Sequence, residues 1–141
     1  MPESVTAKSP YLFTLPGNSK ETGSLSFWEN LDLFPEGIQR CFWIYGVQEG
    51  ESRGNHAHWQ ESQVIVAVAG KIFLDIQSVQ GEVFKFELSS PEQAVYIPPL
   101  HWLVARFTSN SVLLGMSDQA FSEDDYIRDL DYFGKLQKGD K

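Results

Sequence analysis

The sequence predicts an all-β fold, a sandwich or barrel of short strands followed by one short C-terminal helix. Two stretches carry this prediction. Gln63 to Val68 is almost continuously apolar, which is typical of a strand buried on both faces. Val83 to Leu88 alternates apolar with charged residues, which indicates one buried and one solvated face. Many runs of this length, separated by turn residues, favour a sandwich or barrel.

The predicted strands follow one another with turn residues between them. The first, Tyr11 to Leu15, precedes a turn from Gly17 to Gly23 that is rich in Gly, Asn and Ser. Arg40 to Tyr45 is aromatic and β-branched, a composition that favours strands. Pro98-Pro99 ends a later strand, because proline donates no hydrogen bond to a sheet. In chain order the runs are Tyr11–Leu15, Ser24–Trp28, Arg40–Tyr45, Gln63–Val68, Lys71–Gln77, Val83–Leu88, Ala94–Ile97, Leu103–Phe107 and Val112–Met116.

The hydrophobic period changes near the end of the chain. Ser122, followed by Glu123-Asp124-Asp125, has the pattern of a helix N-cap with an acidic first turn. Apolar residues then recur at helical spacing. We therefore expect a helix over residues 122–138 that packs on the barrel, and we interpret Tyr126 and Arg128 as packing and helix-end residues.

Length and composition narrow the class of protein. The chain has 141 residues and a net charge of −8, so we expect one domain over residues 1–141, with residues 1–10 flexible. An acidic surface argues against nucleic-acid binding. We expect neither a membrane-spanning segment nor a signal peptide, because no apolar run is long enough. Cys41 is the only cysteine, which excludes an internal disulfide and fits a cytoplasmic location.

Two histidines stand out in the segment Arg53-Gly54-Asn55-His56-Ala57-His58. Residues two apart on a strand point to the same face, so His56 and His58 should lie side by side. The chain has three histidines in all, and a pair on one face indicates metal binding or proton transfer. Beside Arg53 and the flexible Gly54, the pair favours a ligand-facing or catalytic role over an ordinary place in the core.

The histidine pair also opens a known motif. With Gly50 it matches the cupin pattern G-x5-H-x-H, and cupins are small β-barrels. A metal-binding cupin adds a glutamate and a third histidine, but Ser62 and Leu103 stand at those positions here. Glu61, one residue away, should face the opposite side of the strand. Two nitrogen ligands rarely hold a divalent ion, so we expect no metal and interpret the histidines as groups that transfer protons.

From Gly23 to Phe133 the chain resembles a family, the sugar 3,4-ketoisomerases that act on dTDP-4-keto-6-deoxyglucose. These are the FdtA/QdtA or WxcM-like cupins. The resemblance rests on the order and spacing of several segments, not on the H-x-H pair alone. Those segments are Arg53-Gly54-Asn55-His56-Ala57-His58, Gln63-Val64-Ile65-Val66, Tyr96-Ile97-Pro98-Pro99, Trp102, Phe107 and Asp125-Tyr126-Ile127-Arg128.

The resemblance implies a cupin jelly-roll barrel that forms a homodimer with an exchanged N-terminal strand. It also implies a site inside each barrel for a dTDP-linked sugar, with no metal and no cofactor. The keto group would move from C4 to C3 through an enediol, with His56 and His58 as acid and base and Arg53 at the diphosphate. The further residues that we assign to substrate binding are Gly54, Trp43, Tyr45, Gln63 and Trp102.

Some positions depart from the family pattern. Thr22 stands where the family has an arginine, and Phe42-Trp43 stands where it tends to have tyrosines. Leu103-Val104-Ala105 replaces more polar residues, so we expect a less polar site. The departures keep alternatives open: a barrel that binds the sugar nucleotide without turnover, or an RmlC-like sugar-nucleotide epimerase. A metal-dependent cupin oxygenase is disfavoured by Ser62 and Leu103.

Overall fold

The computed structural model describes residues 9–29 and 32–139. Within them the chain forms β-strands and one short α-helix, so the predicted all-β class is confirmed. The predicted flexibility of residues 1–10 falls mostly on residues 1–8, which lie outside the described residues. No helix in the described ranges is long and apolar enough to cross a membrane. The elements are β1 (Tyr11–Thr14), β2 (Gly17–Lys20), β3 (Gly23–Ser26), β4 (Arg40–Ile44), β5 (Ser52–His58), β6 (Gln63–Ala69), β7 (Ile72–Ser78), β8 (Val83–Leu88), β9 (Gln93–Ile97), β10 (His101–Phe107), β11 (Val112–Ser117), β12 (Tyr126–Ile127) and α1 (Leu130–Gln137).

Two five-stranded antiparallel sheets form the walls of the cupin-like jelly roll. The first sheet has the order β1-β9-β6-β11-β4 and the second has the order β12-β5-β10-β7-β8. Many neighbouring strands are distant in sequence, as expected for a jelly roll. The main core lies between the sheets. Its members are Ile65, Ala67, Ile72, Leu74, Ile76, Leu88, Val95, Ile97, Leu103, Ala105, Phe107 and Leu113.

The position of each strand accounts for its sequence pattern. β6 lies inside the first sheet, where Ile65 packs in the core between the sheets and Val64 packs on the outer face with Phe34. A strand buried on both faces therefore has the continuous apolar run that the sequence shows. β8 lies at a sheet edge, so its phenylalanines pack against the core while Lys85 and Glu87 stay exposed.

The N-terminal turn is more regular than expected. The segment from Gly17 to Gly23, predicted to be a turn, contains β2 and the start of β3, which pair as a separate hairpin. Gly17 lies opposite Ser26 in this hairpin, and Lys20 lies opposite Gly23. The polar composition that indicated a turn thus belongs to a two-stranded ribbon.

The expected helix over residues 122–138 is wrong in its first half. Glu123–Asp125 form a single 3-10 turn, and Tyr126–Ile127 form β12, which pairs with β5. Pairing with a sheet edge places Tyr126 on the inner face and Ile127 on the outer face. The tertiary contact therefore overrides the helical spacing of the apolar residues.

The helix α1 begins later because a different residue caps it. Ser122 makes no side-chain cap. The Asp129 carboxylate instead accepts hydrogen bonds from the backbone N–H groups of Asp131 and Tyr132. The helix then packs Phe133 against Trp102 on the outer face of the second sheet, with 5.6 Å between the ring centroids.

A β-bulge in β5 decides which of its side chains face the barrel interior. The register between β5 and β10 shifts next to Leu103, which leaves Asn55 without a partner residue. Gly54 and Asn55 have left-handed φ angles of 96° and 57°. On a regular strand, residues three apart point to opposite faces. The extra residue instead puts Arg53 and His56 on the same inner face.

We predict that Gly54→Ala destabilises the protein more than a matched glycine substitution does. A Cβ on Gly54 would lie 2.9 Å from the carbonyl oxygen of Leu103, whereas a Cβ on Gly81 has no neighbour within 4 Å. Both glycines have nearly the same φ, 96° and 94°. The φ penalty is therefore common to both variants, and Gly54→Ala should cost about 1–3 kcal/mol more because of the clash. Urea unfolding of both variants measures the difference; equal losses would contradict the close packing of the bulge.

Candidate active site

His56 and His58 lie side by side on the inner face of β5. Their ring centroids are 4.9 Å apart and the ring planes are nearly perpendicular, at 81°. His56 is half-buried, and His58 is only 6% exposed. Burial lowers the pKa of both imidazoles, and burial together with the neighbouring His58 lowers the pKa of His56 to about 4. Both rings are therefore neutral near pH 7.

The hydrogen bond of His56 fixes its tautomer. Nδ1 of His56 lies 3.0 Å from the carbonyl oxygen of Gly54. A carbonyl can only accept, so Nδ1 carries the proton and donates it. The other nitrogen, Nε2, is then left with a free lone pair. His56 is thus held in the form that can accept a proton.

His58 lies deeper in the barrel, beside two carboxylates. Its Nδ1 is 3.3 Å from Oδ2 of Asp125 and 3.6 Å from Oε1 of Glu61. Neither contact has the geometry of a hydrogen bond, and neither ring nitrogen has a hydrogen-bond partner within the described part of the chain. Burial lowers the pKa of His58, and the two carboxylates oppose that effect. The facing acceptors favour a proton on Nδ1.

Buried polar partners surround the Glu61 carboxylate. Its side chain is 1% exposed, and Oε2 accepts hydrogen bonds from Nη2 of Arg40 at 2.8 Å and from Nε2 of Gln63 at 2.6 Å. Asp125 accepts from the backbone N–H groups of Gln60 at 2.8 Å and Glu61 at 3.0 Å. Such partners offset the cost of burying a charge. The expectation that Glu61 faces away is wrong, because β5 ends at His58 and strand alternation no longer applies.

A metal ion would find its donors in this same cluster. Within the described ranges, ligand atoms of His58, Glu61 and Asp125 lie within 4.8 Å of one another. A cation bound there would have to share the Glu61 carboxylate with the positively charged Arg40. Leu103, which stands where a metal-binding cupin has its third histidine, packs in the apolar core. The cluster is therefore better matched to holding His58 than to holding a divalent ion.

A cavity of about 410 Å³ opens beside His56, and it contains most of the predicted site residues. Its volume suits a small organic ligand. Arg53, Gly54 and Gln63 line it, and Trp43 borders it although that residue is 62% exposed. The remaining lining residues are Arg40, Phe42, Ile44, Ile65, Leu103, Ala105, Leu113, Phe121, Tyr126 and Arg128.

The arginines of this cavity differ in how their charge is used. Arg40 is paired with Glu61, and Arg128 makes two hydrogen bonds to the Glu123 carboxylate, at 2.6 and 3.0 Å. Arg53 is exposed and forms no ion pair within the described residues. Its guanidinium is therefore the available cation at the cavity, and a guanidinium is well suited to a phosphate.

Two residues assigned to substrate binding lie elsewhere. Trp102 points to the outer face of β10, where it is buried against Phe133 and Ile127. It lies on the opposite face from Leu103, its neighbour on the same strand, which lines the cavity. Tyr45 follows the end of β4 and is 69% exposed, outside the cavity. Both assignments are corrected: strand alternation turns Trp102 away, and the end of β4 leaves Tyr45 in solvent.

The structure adds residues that the sequence analysis did not place in the site. Tyr126 lies opposite His58 in the pairing of β12 with β5. Its ring centroid is 4.3 Å from that of His58 and 4.9 Å from that of His56. The guanidinium carbon of Arg128 lies 4.0 Å above the Tyr126 ring. The Asp-Tyr-Ile-Arg segment was the sequence signal that could have identified Tyr126 as a site residue. Because the segment was interpreted as a helix, Tyr126 was not expected on a strand that faces the barrel interior.

Comparisons with known proteins agree with this geometry. A family model described as FdtA: WxcM-like, C-terminal matches residues 8–138. The TDP-4-oxo-6-deoxy-alpha-D-glucose-3,4-oxoisomerase of Aneurinibacillus thermoaerophilus is 33% identical over 116 residues, which cover 80% of this chain and 81% of that protein. QdtA, a sugar 3,4-ketoisomerase from Thermoanaerobacterium thermosaccharolyticum solved in complex with TDP, superposes with a TM-score of 0.84 at 28% identity, covering 93% of this chain and 96% of that one.

A further solved structure is a histidine-to-asparagine variant of the same QdtA enzyme in complex with TDP-4-keto-6-deoxyglucose. It superposes with a TM-score of 0.84 at 28% identity, covering 93% of this chain and 95% of that one. The fold and the cavity define a cupin-like barrel with an internal candidate site. The chain belongs to the FdtA family of WxcM-like proteins, since the family model spans residues 8–138.

We predict that His56 titrates with a midpoint of about 4, compared with about 6.5 for an exposed histidine. The unfolded chain would bind this proton as the pH falls below about 6.5, whereas the folded protein would not. Stability should therefore decline as the pH falls from about 6.5 to about 4. NMR of ¹⁵N-labelled imidazoles measures the midpoint directly. A His56 midpoint of 6 or higher would contradict the buried, neutral state.

Proposed function

We propose that this chain is an isomerase that moves the keto group of a dTDP-linked 4-keto-6-deoxy sugar between C4 and C3. One observation carries the proposal. Two neutral imidazoles lie on the inner face of the barrel, and one of them lines a cavity of about 410 Å³ beside Arg53, which forms no ion pair among the described residues. The reaction itself is suggested by two relatives, a 3,4-oxoisomerase and a 3,4-ketoisomerase.

The reaction consists of proton transfers only. A base removes the proton from C3, which is acidic because the adjacent C4 carbonyl stabilises the resulting enolate. Protonation of O4 gives an enediol. Loss of the proton from O3 and return of a proton to C4 then produce the 3-keto sugar. Imidazoles can perform such steps near neutral pH, so the proposed mechanism uses histidine without a metal or cofactor.

His56 is the better candidate for the base. It lines the cavity, and the hydrogen bond of its Nδ1 to Gly54 leaves Nε2 ready to accept a proton. His58 lies behind it in a space of about 10 Å³, too small for a sugar. The contacts of His58 with Glu61 and Asp125 support a role for His58 in positioning the His56 ring and in adjusting the protonation state of His56.

Arg53 is the proposed partner of the diphosphate. Its guanidinium faces the same side as His56, so a ligand whose sugar reaches His56 can place its diphosphate near Arg53. Gly54, Gln63 and Trp43 border the same cavity and remain predicted substrate contacts. Because Thr22 stands where the family has an arginine, we expect Arg53 to contribute more of the binding free energy of the diphosphate.

A homodimer and a cytoplasmic location belong to the same proposal. Apolar side chains of the N-terminal region are exposed in the single chain, with Leu25 at 58%, Leu12 at 44% and Phe27 at 42%. Such a group of exposed apolar side chains supports a contact with a second copy. β1 pairs with β9 of its own chain, so the exchange of an N-terminal strand stays a prediction. The single free Cys41 supports a reducing compartment.

We predict that the protein converts dTDP-4-keto-6-deoxyglucose to the 3-keto sugar, as followed by NMR in deuterated water. His56→Asn and His58→Asn should each lower the rate about a hundredfold or more, because each removes a proton-transferring imidazole or its support. Tyr45→Phe, which lies outside the cavity, should retain the wild-type rate.

The same experiment separates the alternatives. Deuterium at C3 or C5 with inversion and no keto migration would indicate an epimerase. Binding of dTDP with no change in the sugar would indicate a binding module without turnover. Wild-type rates in both histidine variants would contradict the proposed mechanism.

We predict that Arg53→Gln weakens dTDP binding about 10- to 100-fold, because a charge-assisted hydrogen bond contributes about 1.5–3 kcal/mol. Arg106→Gln is the matched control, since Arg106 pairs with Asp75 outside the cavity and the variant has the same net charge. Calorimetric titration with dTDP compares the two variants. Equal affinities of the two variants for dTDP would contradict a role of Arg53 in binding the diphosphate.

A further inference from the structure

Tyr126 occupies a central position that the proposed chemistry has not used. It lines the cavity of about 410 Å³, and its ring contacts both His56 and His58. Arg128 covers the ring at 4.0 Å, and Phe121 packs on it with 5.7 Å between ring centroids. The tyrosine is therefore held between the two imidazoles and the cavity, and its ring has neighbours on several sides.

Tyr126 also supplies a chemical group that the rest of the cavity lacks. Among the described residues that line the cavity, it alone carries a hydroxyl. Phe42, on the facing wall, has its ring against Gly115 and offers no polar atom. A hydroxyl that both donates and accepts a proton at this surface has to come from Tyr126.

Keto migration requires such a group in addition to a carbon base. His56 can take the C3 proton and return one to C4, but the oxygens must also exchange a proton. O4 gains a proton when its carbonyl becomes part of the enediol, and O3 loses one when the new carbonyl forms. A single group that first donates to O4 and then accepts from O3 returns to its starting state.

We infer that Tyr126 is a catalytic residue of the proposed isomerase, whose hydroxyl carries the proton between O4 and O3 of the sugar. This inference rests on the proposed function. In the first half of the reaction the Tyr126 hydroxyl donates to O4 while His56 takes the C3 proton, which gives the enediol and a phenolate. In the second half the phenolate accepts the O3 proton while the His56 imidazolium returns a proton to C4. Both side chains are regenerated and no other reactant is needed.

The surroundings of Tyr126 support this role. Burial raises the pKa of its hydroxyl, so the group is protonated at neutral pH and available as a donor. Arg128 over the ring face places a positive charge close to the phenolate that forms transiently. His58 is less suited to carry this proton, because it is buried in a space too small to admit a sugar oxygen.

The test is Tyr126→Phe, which keeps the ring and its packing and removes only the hydroxyl. Keto migration from dTDP-4-keto-6-deoxyglucose should fall about a hundredfold or more, while the affinity for dTDP stays within about twofold of wild type. Deuterium exchange at C3 should fall less than migration does, because His56 can still remove the C3 proton. Tyr132→Phe is the matched control, since Tyr132 packs on Trp59 outside the cavity.

Each remaining outcome overturns the inference. Tyr126→Phe with at least half the wild-type rate would show that the hydroxyl carries no proton. Equal losses of exchange and migration, or a loss of dTDP affinity, would assign Tyr126 a structural or binding role. A wild-type protein with no keto migration would contradict both the proposed function and the role of Tyr126. This result can be distinguished from failure of the inference alone, because it is seen in the wild-type protein before any variant is tested.

Discussion

Asn55 adds one residue to β5, and the left-handed turn that it makes with Gly54 sets the face to which the neighbouring side chains point. Because of that extra residue, the side chains of Arg53 and His56 both point into the barrel. Arg53 supplies a cation without an ion-pair partner in the described part of the chain, and His56 supplies a neutral imidazole with an available lone pair. A regular strand would have turned one of the two outward, and the cavity would have lacked either its cation or its base.

The interior of the barrel then has to hold polar groups at an acceptable cost. Arg40 neutralises the buried Glu61 carboxylate, Gln63 donates a further hydrogen bond to it, and backbone N–H groups bind Asp125. His58 stays neutral beside these acids, since burial opposes the charge that they would otherwise favour. This arrangement keeps ionised groups paired beneath the histidines and leaves the imidazoles themselves uncharged. Imidazoles in that state are suited to accept protons at neutral pH.

The sequence predicted the features that depend on local periodicity. Apolar runs, β-type composition and the turn residues between them located most of the strands, and the H-x-H spacing placed His56 and His58 side by side. Features that depend on register or tertiary pairing were missed. The bulge at Asn55 has no apolar pattern of its own. The pairing of β12 with β5 was hidden because its apolar residues also fit a helix, and so Tyr126 was assigned to packing.

Errors about single side chains have the same origin. Trp102 was assigned to the site because of its residue type, but strand alternation on β10 points its side chain to the outer face, towards α1. Glu61 was expected to face away from the site because strand alternation was assumed to continue, but β5 ends at His58. In both cases the direction of the side chain depended on an exact strand boundary or register. Such boundaries are set by the whole fold and cannot be read from a short stretch of sequence.

A crystal structure of the protein with dTDP tests the central claim most directly, namely that the bulge in β5 brings a phosphate-binding cation and a base to one cavity. We expect the diphosphate within about 2.7–3.2 Å of the Arg53 guanidinium, with its free end directed towards Nε2 of His56. A dTDP molecule bound outside this cavity, or one whose diphosphate makes no contact with Arg53, would contradict the account.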